Sequence, residues 1–432
     1  MRRAALGALA AALALGGCGS AQPDLTGPAL LLPVDTVAYV AGDRAALRKV
    51  ATGAAGRALQ PFAADRAALF ALPDEHGLAY GALVEARDDA AARSGYARVR
   101  ALVRAARRRP PPASFPARLR DAPQAAAIVG GRWVVFGDPH AVRATTLSAN
   151  GTGLGETVPF RRAVEEWRDR GDGLLYADPR PLAAGVLAGM GLAARQAKPL
   201  ADFLLEVRFA RPVGGAVHVR PDGVRVDTGS QDGCPVRPRA AAGEGPADAE
   251  LVTALPLYGL AQRQCRARPA ADVALPLRRG RVDLTKALGW LVPSRLAVRS
   301  GALSISALVA DPMEAAARLP ALGRALDAQP RVRAKVTERR RLDLTIPGLP
   351  VVRLTLRPDR ALVFAGPPAP PPITEEAKTT PAYRRAQQLL GDRTVTALWR
   401  DPWPGVALVA TGATTYGADA RGSGARLVIA LR

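Results

Sequence analysis

Asp178 and Asp401 each follow a short apolar run and precede a proline, and they are the carboxylates that the sequence repeats most clearly. Two carboxylates that converge on one bond can act as general acid and general base. An aspartate followed by proline after a strand is also a common start of a helix, where the carboxylate caps the first turn. The spacing favours the capping role at both positions, and the acid pair is the alternative.

Two arginine pairs, Arg161-Arg162 and Arg384-Arg385, form a second repeated set. Guanidinium groups bind phosphate or carboxylate through paired hydrogen bonds. Neighbouring residues of a helix point about 100° apart, so the two side chains of one pair do not face the same ligand. A solvent-exposed helix flank is therefore the simpler interpretation of each pair.

The remaining chemistry-bearing residues do not form a recognisable motif. None of His76, His140 and His218 has a second metal ligand at helical spacing, and His218 alternates with valines as on a solvated strand face. The loop GTGLGE at 151–156 lacks the preceding strand of a phosphate-binding loop, so flexibility explains its glycines better. No G-x-S-x-G, S-x-x-K or C-x-x-C is present. The sequence predicts no catalytic residue, no metal site and no cofactor.

Cys18 follows a short N-terminal apolar run that has the layout of a secretory signal. Arg2 and Arg3 precede twelve Ala, Leu and Gly residues at 4–15, a run shorter than the roughly 20 residues that span a bilayer. The sequence LGGC at 15–18 resembles the lipobox of bacterial lipoproteins. An ordinary cleaved signal with an incidental cysteine is the alternative.

The resemblance implies how the protein is attached and where it lies. Diacylglycerol would be joined to the Cys18 thiol, residues 1–17 would be removed as a signal peptide, and the new amino end would be acylated with a fatty acid such as palmitate. Several acyl chains give stable membrane attachment. Residues 18–32 would form a tether on the extracytoplasmic side of the cell envelope. In some bacterial lipoproteins an aspartate after the lipidated cysteine retains the protein at the inner membrane. This chain has Gly19 at that position, so the resemblance favours the outer membrane in a Gram-negative cell.

Two cysteines remain once Cys18 is lipidated. Cys234 and Cys265 form an even pair in an oxidising compartment, which predicts a disulfide between them. Two free thiols are the alternative.

The formal net charge of +22 is carried by 55 Arg and only 5 Lys. Such a charge can indicate an anionic partner, such as an envelope polymer. The arginines are nevertheless spread along an Ala-, Gly- and Pro-rich chain, as a GC-rich genome produces. No aromatic residues are interleaved with them to stack on bases, and export argues against nucleic acid. The sequence therefore predicts no nucleic-acid partner, and it leaves a protein or an anionic envelope polymer as the candidate partner.

Four sequence blocks recur in the same order at offsets of 223 to 228 residues. The pairs are ALVEARDDAAAR with ALVADPMEAAAR, RWVVFGDP with RALVFAGP, TVPFRRAVEEW with TPAYRRAQQLL, and LLYADP with ALWRDP. We therefore expect two homologous modules, 33–236 and 251–432, joined by a linker of proline, glycine and alanine at 237–250. Strands and helices do not alternate regularly, as they do in proteins with a parallel sheet. The order predicts an α+β fold, with split βαβ as the expected unit in each module.

The blocks also predict individual elements. Residues 80–84 and 304–309 are expected to form strands that are followed by Ala-rich helices. Thr157 and Thr380 occupy N-cap positions, and the apolar residues behind them recur at helical spacing. The segment GAVHVRPDGVRVDTG is typical of a β-hairpin.

The opening LPVDTVAYVAGDRAALRKV and the blocks VPFRRA and PAYRRA are similar to a bacterial envelope protein family of unknown function. That family carries a P-x-D-T-x-A-Y-V start and a helix with proline, an aromatic residue, arginine and alanine. The resemblance implies an exported or membrane-attached protein without an established activity. It adds no catalytic residue.

Two classes of function are consistent with the sequence. The favoured one is a membrane-anchored, non-enzymatic binding or structural protein of the envelope. The repeated blocks retain helix caps and core residues, but they do not repeat a group of residues that could catalyse a reaction. The alternative is an envelope hydrolase whose active site is assembled from distant residues.

Overall fold

The computed structural model describes residues 24–43, 59–75, 77–107, 125–189, 197–199, 201, 212–220, 223–228, 242–255, 274–276, 281–283, 291–299, 302–309, 311–329, 332–345, 351–358, 360–365, 375–402, 406–413 and 425–431. Cys18, Cys234, Cys265 and His76 lie outside these ranges. The lipidation site, the signal peptide and the disulfide therefore stay predictions.

Six α-helices have both ends within the described residues. Their bounds are α1 Asp89–Arg107, α2 Pro139–Ser148, α3 Val158–Val164, α4 Pro179–Gly189, α5 Pro312–Asp327 and α6 Pro381–Leu390. Short 3₁₀ turns accompany them at Gly27–Leu31, Leu154–Glu156, Glu165–Trp167, Ala242–Glu244 and Ala377–Thr379.

The strands are distributed over both halves of the chain. The first half carries β1 Ala38–Asp43, β2 Ala63–Asp74, β3 Gly77–Ala86, β4 Ala125–Val129, β5 Trp133–Gly137, β6 Gly173–Ala177, β7 Val213–Arg220 and β8 Gly223–Thr228. The second half carries β9 Leu251–Leu255, β10 Ala274–Pro276, β11 Arg281–Asp283, β12 Leu291–Arg299, β13 Ala302–Val309, β14 Arg333–Thr337, β15 Arg341–Thr345, β16 Val352–Leu356, β17 Arg360–Ala365, β18 Thr394–Arg400, β19 Val406–Ala413 and β20 Ala425–Leu431. The fold is thus mixed α+β and mostly sheet.

All described strands except β10 and β11, which pair with each other, belong to one antiparallel sheet. The pairings of the first half give the order β4-β5-β3-β2-β1-β6-β7-β8. The sheet continues as β20-β19-β18-β9-β12-β13-β17-β16-β15-β14. The two halves meet where β8 pairs with β20.

The same order of strands appears on both sides of the β8–β20 pair. Outward from this pair come β7, β6, β1, β2, β3, β5 and β4 in the first half, and β19, β18, β9, β12, β13, β17 and β16 in the second. Within the first half, α1 connects β3 to β4, and β5 lies between these two strands. This is the connectivity of a split βαβ unit. In the second half α5 leads from β13 into the additional hairpin β14–β15, which lies at the edge of the sheet.

Helices cover both faces of the first half. Phe160 of α3 and Ala141 of α2 are buried against Tyr39 and Leu174 of the sheet. The ring of Phe160 lies 5.7 Å from that of Tyr39 and 5.1 Å from that of Tyr176. These aromatic contacts add to the apolar area that the helix buries, so Phe160 fixes α3 to the sheet.

The helix α1 occupies the opposite face of the first half. Its residues Ala92 and Val99 are buried with Val84 and Val134, which are the sequence neighbours of residues facing α2. This alternation follows from the two-residue period of a strand. In the second half Leu390 of α6 belongs to one core cluster and Leu319 of α5 to another.

A 3₁₀ turn docks α3 onto the start of the described chain. The Leu154 N–H donates to the Leu32 carbonyl at 2.8 Å. The Thr157 hydroxyl accepts from the Phe160 N–H at 3.3 Å and donates to the Leu154 carbonyl at 2.8 Å. The guanidinium of Arg161 donates to the Glu156 carbonyl at 2.8 Å. These bonds satisfy backbone groups that a helix start leaves unpaired.

The second half builds the same cap before α6. The Ala377 N–H donates to the Gly245 carbonyl at 2.6 Å. The Thr380 hydroxyl accepts from the Tyr383 N–H at 3.2 Å and donates to the Ala377 carbonyl at 2.7 Å. Arg384 donates to the Thr379 carbonyl at 3.5 Å. The predicted N-caps at both threonines are confirmed.

Other local predictions agree with the structure as well. The segments 80–84 and 304–309 lie within β3 and β13, and α1 and α5 follow them as expected. The predicted hairpin is formed by β7 and β8. Within the described part of the chain, no helix combines the length and apolar character needed to cross a bilayer.

Two segments predicted as connections contain ordered, buried residues. Leu25, Ala29 and Leu32, at the end of the expected tether, lie in the core of the first half. Ala242 and Ala249, within the expected linker, lie in the core beside α6.

Candidate functional site

Asp178 begins α4, as its position before Pro179 predicts. The Arg180 backbone N–H donates to the Asp178 carboxylate, which is the bond of an N-cap. Burial raises the pKa of Asp178 above its ordinary value, although this hydrogen bond and the charge of Arg180 act against burial. The residue therefore holds a helix start at the end of β6.

The prediction of a helix cap is wrong for Asp401. β18 ends at Arg400 and β19 begins at Val406, so the chain turns directly into a hairpin. Asp401 has a positive φ of 46°, and its N–H donates to the Ala407 carbonyl at 3.0 Å. The same dipeptide thus starts a helix in one half and a turn in the other.

The two aspartates do not form an acid pair across the sheet. Asp178 follows β6 and Asp401 follows β18, and β7, β8, β20 and β19 lie between these strands. Five spacings of about 4.8 Å correspond to roughly 24 Å along the sheet. Paired carboxylates in glycosidases lie about 5–10 Å apart.

The repeated arginine pairs lie on the outer surfaces of α3 and α6. Arg161, Arg162, Arg384 and Arg385 are all exposed, as the sequence predicts for a helix flank. The first arginine of each pair donates to a carbonyl of the preceding 3₁₀ turn. These two arginines therefore hold the turn against the helix, a role that the sequence did not indicate.

The loop GTGLGE also has a packing role. A Cβ at Gly153 would overlap the Leu30 carbonyl, and a Cβ at Gly155 would crowd the backbone of Leu30. Flexibility is the wrong explanation for this loop, because the glycines permit two 3₁₀ turns to lie in contact.

The described histidines are far from each other in the fold. His140 is exposed in the first turn of α2, and its backbone N–H donates to Asp138, the N-cap residue. His218 on β7 is a quarter exposed and lies 3.4 Å from Asp227, so it is not on a solvated face as predicted. Among the described residues, no three His, Cys, Asp or Glu side chains are grouped as metal ligands.

Glu85 forms the centre of a charged cluster that the sequence did not reveal. Its side chain is 5% exposed on β3, at a point where a β-bulge in β2 brings Arg66 opposite. Arg66 donates from Nε to Oε2 at 2.8 Å and from Nη2 to Oε1 at 2.9 Å. Arg132 adds a contact from Nη2 to Oε1 at 2.9 Å. Both carboxylate oxygens are therefore held by guanidinium groups.

Trp133 supports this cluster from β5. The guanidinium carbon of Arg66 lies 5.2 Å from the centre of the Trp133 ring, within the range of a cation–π contact. The hydrogen bond to Glu85 raises the pKa of Arg66, while burial acts in the opposite direction. The hydrogen bond to Glu85 thus favours the charged form of the Arg66 guanidinium.

An open cavity of about 420 Å³ lies beside the cluster. It is lined by Asp24, Ala64, Asp65, Arg66, Glu85, Arg87 and Arg132. Three carboxylates and three guanidinium groups make the lining close to neutral at pH 7. The lining includes no serine, cysteine, histidine or lysine, and its carboxylates are the groups there that could act as acid, base or nucleophile.

Only one sequence signal marks this cluster. Glu85 is a charged residue inside the apolar strand GALVEA, and a buried strand carries such a residue only when it is paired. The partners Arg66 and Arg132 come from separate strands, so they cannot be read from local spacing. The second half has Ala310 at the position aligned with Glu85, so the carboxylate is not repeated, whereas Arg360 aligns with Arg132.

Comparison of the chain with known protein families, with curated proteins and with solved structures finds no match.

Proposed function

We propose that the chain is a lipid-anchored bacterial envelope protein that acts by binding rather than by catalysis. The anchor is the thioether-linked lipid on Cys18, in the LGGC sequence at 15–18. The acyl chains hold the folded part on the extracytoplasmic side of the membrane, with the outer membrane favoured in a Gram-negative cell. The partner is a protein or an anionic envelope polymer.

The folded part consists of two homologous modules, and the repeated helix cap carries this proposal. Thr157 and Thr380 are 223 residues apart, and each makes the same two hydrogen bonds to its own turn and helix. Arg161 and Arg384 repeat the contact with the turn at the same separation. The shared order of strands on either side of β8–β20 supports the same origin.

The distribution of charged residues supports a binding role. Duplication has retained caps and core positions, whereas the carboxylate of Glu85 has no counterpart at the aligned position, which is Ala310. Asp178 serves a helix start and Asp401 a turn, so neither is free of a structural role. No observation favours the alternative of an envelope hydrolase.

Fatty-acid labelling with membrane fractionation tests the anchor. The parent chain is expected to incorporate a labelled fatty acid and to sediment with membranes. Cys18→Ser is expected to lose both properties, whereas Cys234→Ser, a matched change elsewhere in the chain, is expected to retain them. A Cys18→Ser variant that is labelled and sediments like the parent would refute the anchor.

Crosslinking in living cells tests the binding role. A crosslinker applied to the anchored parent is expected to capture one defined partner, a protein or an envelope polymer. A panel of esterase, peptidase and glycosidase substrates provides the opposing test. Turnover by the purified protein that disappears in Asp178→Ala, with an unchanged circular dichroism spectrum, would replace binding with hydrolysis.

A further inference from the structure

A second charged cluster lies where the two halves of the sheet meet. Cross-strand pairing places His218 of β7 opposite Arg225 of β8, and Asp227 of β8 opposite Arg426 of β20. Directly opposed residues share a face of a sheet, and so do residues two apart on one strand. These four side chains therefore project on the same side of the β8–β20 junction. Arg393, in the turn after α6, joins them there.

This side of the sheet is the one that carries α3 and α6. Gly214, on the same face of β7 as His218, approaches the backbone of α3 so closely that a Cβ would overlap the Ala163 carbonyl. Val428, on the same face of β20 as Arg426, shares a core cluster with Leu390 of α6. The cluster thus lies on the face of the sheet that carries both repeated helices.

The cluster holds more positive than negative charge. Asp227 Oδ1 lies 2.6 Å from Arg426 Nε and 4.0 Å from Arg393 Nη2, and Oδ2 lies 2.9 Å from Arg225 Nε and 3.4 Å from His218 Nε2. One carboxylate therefore serves three guanidinium groups and an imidazole. All of these side chains are only 15–25% exposed, so solvent screens them incompletely.

The surroundings do not neutralise this excess. Arg393 Nη1 lies 3.9 Å from Asp392, but that carboxylate is 81% exposed and its contact is weakened by solvent. The Nε atoms of Arg225 and Arg393 are buried without a hydrogen-bond partner in the described residues. The Arg225 Nε is close to Asp227 but is not aligned for a hydrogen bond. Two buried donors and two unbalanced positive charges remain.

We infer that this junction binds a phosphate group. A phosphate monoester carries close to two negative charges at neutral pH and offers several acceptor oxygens. It would supply the missing charge and accept from Arg225 and Arg393, while Asp227 keeps Arg426 in place. The inference deepens the proposed binding function, because it names the chemistry of the anionic partner at a site that both halves build.

Titration of the purified full chain with inorganic phosphate tests the site. The protein is kept in a non-ionic detergent, and chloride holds the ionic strength constant so that general screening does not change. Isothermal calorimetry is expected to show saturable binding of one phosphate per chain. The thermal midpoint is expected to rise with phosphate, because a ligand that binds only the folded state stabilises it.

Variants separate this site from the general positive charge. Arg393→Met keeps the apolar stem and removes a donor on a turn, so the fold is retained and the dissociation constant rises about tenfold. Arg225→Met has the same effect. Arg385→Met, an exposed arginine on α6, leaves binding unchanged. Asp227→Asn tightens phosphate binding, because it removes the competing negative charge.

Two results would overturn the inference. One is the absence of saturable binding to the parent. The other is equal affinity in Arg393→Met, Arg385→Met and the parent, which indicates an adventitious ion only. Failure of Arg225→Met to fold leaves Arg393→Met as the decisive variant, with its circular dichroism spectrum as the check.

A second arm identifies the source of the phosphate. Phosphatidic acid, a lipid phosphate monoester, is added to the detergent micelles. Displacement of inorganic phosphate assigns a lipid headgroup, and no displacement assigns a soluble or polymeric phosphate; both results support the site. The anchor is judged separately by labelling at Cys18. A protein that binds phosphate without being lipidated refutes the proposed function alone, and a lipidated protein that binds no phosphate refutes this inference alone.

Discussion

Removing the charge of Glu85 is expected to destabilise the first half of the protein substantially. Glu85→Gln leaves Arg66 and Arg132 facing each other without the carboxylate that both contact. Breaking a buried ion pair by removal of one partner typically costs about 3–5 kcal/mol. Arg66 is 20% exposed and Arg132 is 51% exposed, so solvent screens part of the repulsion. We therefore expect a loss of about 2–3 kcal/mol in the free energy of unfolding.

A double-mutant cycle measures the contact between Arg66 and Glu85 itself. Arg66→Met alone leaves the carboxylate with Arg132 only, whereas the double variant removes both charges together. We expect the double variant to be more stable than the sum of the single changes predicts, with a coupling of about 1–2 kcal/mol. Asp65→Asn changes an exposed carboxylate in the same cavity and serves as the control, with an effect within about 0.5 kcal/mol.

Urea unfolding followed by tryptophan fluorescence provides the assay. Trp133 lies under the Arg66 guanidinium, so its emission reports on this part of the protein. Far-ultraviolet circular dichroism follows the loss of secondary structure in the whole chain. The first transition of the parent is compared with that of each variant. Additive single changes, or a Glu85→Gln variant as stable as Asp65→Asn, would show that the buried carboxylate does not organise this cluster.

Three further outcomes are expected. Thr157→Ala and Thr380→Ala should each lower the free energy of unfolding by about 1 kcal/mol, because each removes an N-cap. Urea titration measures both losses, and unequal losses would argue against equivalent caps. Gly153→Ala should be more destabilising than either, since its Cβ overlaps the Leu30 carbonyl; a thermal midpoint equal to the parent's contradicts that contact. Burial raises the pKa of Asp227, but hydrogen bonds from His218 and Arg426 and the charges of Arg426 and Arg225 outweigh burial and lower it, so its stabilisation is complete above about pH 5 and declines as the pH falls further. Asp227→Asn should therefore flatten the acid side of the stability profile, and an unchanged slope between pH 4 and pH 2 would exclude this contribution.

Local pattern was sufficient for elements whose ends are marked by special residues. WVVFG at 133–137 ends in a glycine with a φ of 143°, and β5 has these bounds. Pro381 follows a threonine, and α6 begins there because the proline lacks the N–H that the first turn cannot use. In such segments the local sequence marks where the element ends, although β5 still forms its strand by pairing with β3 and β4.

Contacts between distant residues were beyond such prediction. Asp227 and Arg426 are 199 residues apart, and neither pairing nor register at this junction follows from the composition of the two strands. At Asp401, too, strand pairing rather than the local sequence determines the structure. Its dipeptide starts a helix at Asp138 and Asp311, but the pairing of β18 with β19 demands a turn and overrides that preference.

The pairing of β8 with β20 has a consequence for how the protein is made. β8 is synthesised long before β20, so the first half presents an open strand edge while the remainder of the chain emerges. An open edge of this kind pairs readily with other chains. Arg225 and Asp227 on β8 place charges beside that edge, which discourages pairing with an apolar strand. The residues that assemble the junction in the finished protein thereby also protect the incomplete chain during synthesis.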